Sequence, residues 1–334
     1  MLCRRYLGSM NMVDTSNMRL LAQGLLRRAR LGILLTCLAS AGAVGLAQSS
    51  LAAKVWTHAD PNWRKAIDRA AAAAPDARVL VLDIASGRLL ASAHLAEAGR
   101  TLATPGSTLK PLILYFALST GLWDREHRVA CSRKLRIGSH ELNCSHPAAD
   151  PMDAEQALTW SCNSYFAELA GALTPEELRK ALSARGLLAA TGLTPQESMA
   201  AFRQPRSRAE VQLAALGVEG IRVTLPELAE AYRSLAIELA ARPEIAAART
   251  VRAGLADSAS FGMAGAAALG GVALLGKTGT ASAETGGASH GWFVGLAPVE
   301  SLQVVIAVYL PTGHGSDAAQ VAANLLALSP LRKP

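Results

Sequence analysis

Long strand-like runs stand at the two ends of this chain and helical runs fill its middle, an order that admits few folds. Residues 78–91 read as two β-rich segments joined by a Ser86-Gly87 turn, the pattern of a hairpin. Residues 272–281, 290–296 and 302–310 read as three more strands, with Gly286-Gly287 marking the turn between the first two. Glycines inside the first of them allow another backbone to come close. An amphipathic helix over residues 317–328 closes the chain. Between these ends, helices are expected over residues 54–76, 109–120, 153–170 with a break near Ser161, 174–188, 224–241 and 249–268, while residues 189–210 read as loop. The simplest packing is an α+β fold: one central antiparallel sheet built from both ends of the domain, with flanking helices and an all-helical lobe beside it.

Composition supports a large aliphatic core, since 51% of residues are apolar and only 4% aromatic. The net charge of +7 suggests a nucleic-acid partner until its distribution is examined. Residues 1–53 hold six arginines and one acid, Asp14, so +5 of that charge lies there and only +2 on the rest. No nucleic-acid partner is expected. Arg27-Arg28-Ala29-Arg30 precedes an uncharged apolar run over residues 31–47, with small residues after it. Residues 1–53 therefore read as a cleaved signal peptide or as an uncleaved N-terminal membrane anchor. On either reading residues 54–334 form the exported domain, placed in the periplasm or held at the inner membrane facing it, and only the N-terminal segment would touch a membrane.

Export makes disulfides available. Beyond residue 53 the cysteines are Cys131, Cys144 and Cys162. A hairpin centred on Gly138-Ser139 is expected between the first two. Either a Cys131–Cys144 bridge staples it or all three thiols stay reduced. His140, Cys144 and His146 cluster in sequence, but at a spacing foreign to common zinc sites, so no metal is expected.

Three short motifs carry chemistry. Ser107-Thr108-Leu109-Lys110 follows a Thr104-Pro105-Gly106 turn and opens a helix, so Ser107 and Lys110 share one face. A serine hydroxyl needs a base to become a nucleophile, and a lysine whose pKa is lowered can serve. Ser161-Cys162-Asn163 lies at the expected helix break, and Lys277-Thr278-Gly279 on a strand. In this order they are the serine set of penicillin-binding proteins and related β-lactamases.

At these residues the chain resembles the penicillin-binding protein transpeptidase family. The similarity extends to residues 223–232, which resemble the helix before the third motif. It extends also to Gly276-Lys277-Thr278-Gly279-Thr280-Ala281 with the following His290-Gly291-Trp292-Phe293-Val294-Gly295, and it spans about residues 79–328. The resemblance implies a β-lactamase/transpeptidase-like fold and an acyl-enzyme mechanism. Ser107 would be the nucleophile, Lys110 its base and Ser161 the proton relay, with Lys277 lowering the pKa of Lys110. Asn163, Lys277, Thr278, Gly279 and Thr280 would bind substrate, and the backbone N–H groups of Ser107 and Thr280 would form the oxyanion hole. The substrates implied are D-alanyl-D-alanine stem peptides of peptidoglycan and β-lactams, with cell-wall synthesis proteins as partners and no cofactor. Alternatives are a D,D-carboxypeptidase, a class D-like β-lactamase, or a non-catalytic penicillin- or stem-peptide-binding module. Class D enzymes usually carry valine where Asn163 stands. Glu176 and Glu177 lack the context of the class A base glutamate. Trp292 and Phe293 read as core aromatics.

Overall fold

The computed structural model describes residues 60–147, 151–282 and 287–332. The expected signal or anchor lies outside the described residues. The chain enters with α1 (Pro61–Ala73), capped where the Asp60 carboxylate accepts from Asn62 N–H at 2.9 Å and with proline in the first turn. Strands β1 (Arg78–Asp83) and β2 (Leu89–Ala93) form the expected N-terminal hairpin. A short helix α2 (Leu95–Arg100) leads to a 3₁₀ turn over Gly106–Leu109 and then α3 (Lys110–Ser119). Next comes the hairpin β3 (Lys134–Ile137) and β4 (His140–Asn143), followed by α4 (Ala154–Thr159), α5 (Asn163–Gly171) and α6 (Pro175–Ser183). Strand β5 (Ala201–Phe202), α7 (Arg208–Ala215), β6 (Ile221–Arg222), α8 (Leu225–Ala241) and α9 (Ala246–Ser260) complete the middle. The C-terminal quarter supplies β7 (Leu275–Ser282), β8 (Ser289–Ala297), β9 (Val304–Leu310) and α10 (Gly315–Leu326).

The sheet order is β2-β1-β9-β8-β7, antiparallel throughout. Leu80 pairs with Ala307 and Val81 with Ile306, so the first long strand docks on the last one. Both faces of this sheet are covered, which is why its central strands read as nearly continuous apolar runs. Side chains alternate between two cores, as strand geometry requires. Leu80, Leu82, Trp292, Val294, Val305 and Ala307 face the helical lobe with Leu112, Tyr165 and Tyr232. Val79, Val81, Phe293, Ile306 and Val308 face α1 and α10 through Trp63, Ile67, Ala322 and Leu325. The α+β expectation, one sheet drawn from both ends beside a helical lobe, is met.

Local departures have local causes. Helix α2 is only six residues long, too short to show a helical period. The expected helix over residues 249–268 divides into α9 and a 3₁₀ segment over Gly265–Gly270, where glycine weakens helical continuation. The break near Ser161 is real: α4 ends at Thr159, α5 starts at Asn163, and Ser161 between them has φ +55°. Two capping boxes, Thr174 with Glu177 and Thr224 with Glu227, open α6 and α8 at their expected starts.

Ile306 is fully buried at the centre of the sheet. Ile306→Ala should cost about 2–5 kcal/mol, as truncation of a buried isoleucine does elsewhere. Urea denaturation reads this directly, and a loss under about 1 kcal/mol would contradict a tightly packed layer between sheet and α10.

Candidate active site

The 3₁₀ turn carrying Ser107 is pressed flush against β7. Gly106 has φ +56°, and a Cβ built there would lie 2.9 Å from the Thr280 carbonyl oxygen. Gly279 answers from the strand: a Cβ on it would lie 2.6 Å from the Pro105 oxygen. Contact this close needs glycine on both sides. The turn is fixed at several points. Gly106 N–H donates to Gly217 O at 3.0 Å, Thr108 Oγ1 to Pro105 O at 2.8 Å, and Tyr232 OH from α8 to Thr108 O at 2.7 Å. Thr104, just upstream, has its carbonyl capped twice, by His290 Nε2 at 2.8 Å and Trp292 Nε1 at 2.9 Å.

Trp292 is thus more than a core aromatic. A buried indole N–H requires an acceptor, and that requirement is the sequence signal for its second role. Tyr232, His290 and Gly217 were not singled out as site residues by sequence reasoning. Each acts on the backbone of the turn rather than on the cleft.

Ser107 lines an open cleft with Asn143, Ser161, Asn163, Thr278 and Thr280. Among the described residues its hydroxyl makes no hydrogen bond. Its backbone N–H lies in the first turn of a helical segment, where no intrahelical partner exists. Lys110, one turn on, is completely buried. Its Nζ donates to Ser161 O at 2.7 Å, Asn163 Oδ1 at 2.8 Å and Ser161 Oγ at 3.2 Å, which uses all three ammonium protons. The Phe166 ring centroid lies 5.2 Å from the same nitrogen.

Lys277, equally buried on β7, donates to the same Ser161 Oγ at 2.8 Å and to Thr278 O at 2.9 Å. One serine hydroxyl therefore stands between two lysine nitrogens. Asn163 also donates Nδ2–H to Asn143 O at 3.0 Å, leaving its second amide proton for the cleft. Thr280 Oγ1 accepts from Gly315 N–H at 2.9 Å, so its own proton remains to be donated. Every residue named from the motifs, from Ser107 to Thr280, lies in or against this one cleft. Gly279 does so as the point of close approach rather than as a lining side chain.

Burial holds Lys110 down at about 8, while the negative character of Cys162 and Cys144 offsets part of that effect. Burial, and then the charge on Lys110, hold Lys277 well below the ordinary lysine value. Burial is the larger cause for both lysines, and the repulsion between two neighbouring ammonium groups acts on each of them alike.

The structure joins Cys131 and Cys144 by no disulfide. The hairpin brings its cysteines not merely to each other but to Cys162 and His146. One ligand atom from each of the four lies within 4.8 Å of all the others. That group adjoins the cleft through Cys144, which lines it, and through Cys162, which separates Ser161 from Asn163.

Fold and cleft together define a transpeptidase-like α+β domain, and two solved structures share that fold. One is a peptidoglycan glycosyltransferase from Burkholderia ambifaria. The other is the transpeptidase domain of penicillin-binding protein 3 from Burkholderia pseudomallei. Each is 21% identical, with a TM-score of 0.68, covering 80% of this chain and 92% of its own. No curated protein matches. A family model of the penicillin binding protein transpeptidase domain matches residues 78–327, and the chain belongs to that family.

A folded-state pKa of about 8 for Lys110 lies below the ordinary lysine value near 10.4. Between those pH values the unfolded chain binds the extra proton, so this residue makes stability rise with pH. Wild type should therefore gain stability relative to Lys110→Met between pH 8 and about 10 in urea titrations. A difference that stays flat or falls would contradict a depressed Lys110.

Proposed function

We propose that this domain is a serine D,D-transpeptidase-like acyltransferase that acts on D-alanyl-D-alanine stem peptides and is acylated by β-lactams. The observation that carries the proposal is the convergence of Lys110 and Lys277 on Ser161 Oγ, at 3.2 and 2.8 Å, in the cleft that Ser107 lines. Lys110 must lose one proton to act as base. With a pKa of about 8, roughly a tenth of the molecules hold it neutral at pH 7. The neutral amine no longer needs three acceptors and can turn to the Ser107 hydroxyl.

Ser107 Oγ then attacks the penultimate carbonyl while Lys110 Nζ takes its proton. Charge builds on the carbonyl oxygen beside the backbone N–H groups of Ser107 and Thr280, a type of contact worth about 3–4 kcal/mol per donor in other enzymes. Collapse expels the terminal D-alanine amine, which takes a proton through Ser161 from the Lys110 ammonium. The acyl-enzyme is released when an acceptor amine attacks the ester carbonyl and the proton path runs in reverse. The substrate's terminal carboxylate would rest near Lys277, Thr278 and Thr280. Its charge restores the protonation that burial withholds from Lys277. Asn163 would hold the substrate amide with its free amide proton.

Transfer to an amine is favoured over hydrolysis by the cleft itself. Among the described residues that line it, none is a carboxylate that could activate water. Glu177, a candidate for that task by sequence, is engaged in the cap of α6 through Thr174 N–H at 2.7 Å and Thr174 Oγ1 at 2.8 Å. We place the reaction outside the cytoplasmic membrane, because the Arg27-Arg28-Ala29-Arg30 cluster and the apolar run behind it mark an export segment.

A fluorescent penicillin should label the wild-type protein covalently and leave Ser107→Ala unlabelled. Label lost over minutes to hours supports a transpeptidase, whereas sub-second turnover would make the protein a β-lactamase and sink the transfer reading. The labelling rate should rise with pH and level off above about 8, as Lys110 is deprotonated. A rate that falls across that range would remove Lys110 from the role of base.

A further inference from the structure

We propose that Cys131, Cys144, His146 and Cys162 form a closed tetrahedral site for a thiophilic divalent ion, with zinc the ion of best fit. The site is separate from the serine chemistry and is structural rather than catalytic. Its four donor atoms already lie within 4.8 Å of one another, and Cys131 Sγ is 3.4 Å from His146 Nε2. A zinc tetrahedron with Zn–S near 2.3 Å and Zn–N near 2.0 Å has edges of about 3.5–3.8 Å. Small side-chain movements close the remaining gap.

The imidazole is set for ligation. His146 Nδ1–H donates to Pro147 O at 2.7 Å, which leaves the Nε2 lone pair facing the sulfurs. A carbonyl partner on the far ring nitrogen is the usual support of a metal-bound histidine. The sulfurs have supports of the same kind. Asn163 N–H donates to Cys144 Sγ at 3.2 Å, and Ser164 Oγ–H points to Cys131 Sγ at 3.9 Å. Arg133 Nη1 donates to His146 O at 2.5 Å, placing a cation beside a cluster that would carry a net negative charge with three thiolates and one divalent ion. Cys144, His146 and Cys162 are buried, and four protein ligands leave no open position for a substrate.

The ligands come from both ends of the β3–β4 hairpin and from the break between α4 and α5. One ion would therefore clip the hairpin onto the segment that holds Ser161 in its left-handed conformation. Binding is an acid–base exchange: each thiol that is protonated releases its proton to solvent as its S–metal bond forms, and no oxidant or reductant is needed.

The full chain, purified under reducing conditions, should retain about one zinc ion after dialysis, measured by elemental analysis. Replacement by Co²⁺ should give the strong visible d–d bands of tetrahedral cobalt and thiolate charge-transfer absorption in the near ultraviolet, a readout that needs no variant. His146→Ala and Cys131→Ser should weaken zinc at least about a hundredfold in competition with a chromophoric chelator, beyond what loss of a supporting contact costs. Failure to retain metal, a six-coordinate cobalt spectrum, or metal-free protein in which two of the three cysteines are joined by a disulfide would each overturn the proposal. None of these readouts depends on acylation at Ser107, so the site stands or falls apart from the proposed reaction.

Discussion

The Ser161 hydroxyl accepting from two buried lysines is the contact around which the domain is built. Neither Nζ can reach water, so each needs nearly all of its hydrogen bonds from protein. Lys110 finds three acceptors, all supplied by Ser161 and Asn163 at the α4–α5 break. Removing that break would leave a buried cation unpaired, a far larger cost than the strain of one serine at φ +55°. The left-handed serine, the interrupted helix and the shifted lysines are one device. It keeps the nitrogens near neutrality, ready to exchange a proton.

Holding three elements in register needs a rigid frame, and the sheet provides it. Strand β7 sits at the sheet edge beside β8, so one of its sides is free to face the turn of Ser107. Close approach through Gly106 and Gly279 sets the spacing, and the paired donors of His290 and Trp292 on Thr104 O set the angle. The donors come from β8 itself. The nucleophile's segment is therefore fastened to the sheet on one side and to α8 through Tyr232 on the other.

Much of this was legible beforehand because it is written in local chemistry. Strands buried on both faces produce apolar runs, capping boxes mark helix starts, and the three motifs stand in a recognisable order. Ser107, Lys110, Ser161, Asn163, Lys277, Thr278 and Thr280 met as expected because the motif order already encodes a meeting. What stayed hidden depends on long-range placement. Both readings of the hairpin cysteines, a Cys131–Cys144 bridge or three reduced thiols, leave out the approach of Cys162, which belongs to another motif, and of His146. The extent to which burial depresses the Lys110 pKa was likewise invisible, because desolvation depends on every atom packed around a group and not on its neighbours in the chain. Trp292 and Tyr232 looked like filler since their polar ends act on backbone carbonyls, which carry no sequence signature.

The pairing of β1 with β9 carries a consequence for how the molecule comes into being. Leu80 finds its partner at Ala307, about 230 positions later in the polypeptide. Until β9 has been made, the first hairpin has one open flank and neither core can close. Contacts of such large sequence separation are slow to form, and exposed strand edges invite the wrong neighbours meanwhile. The newborn chain therefore has to be kept apart from its siblings until β9 is in place, and a message truncated before β9 yields no half-built domain, only an unfinished one.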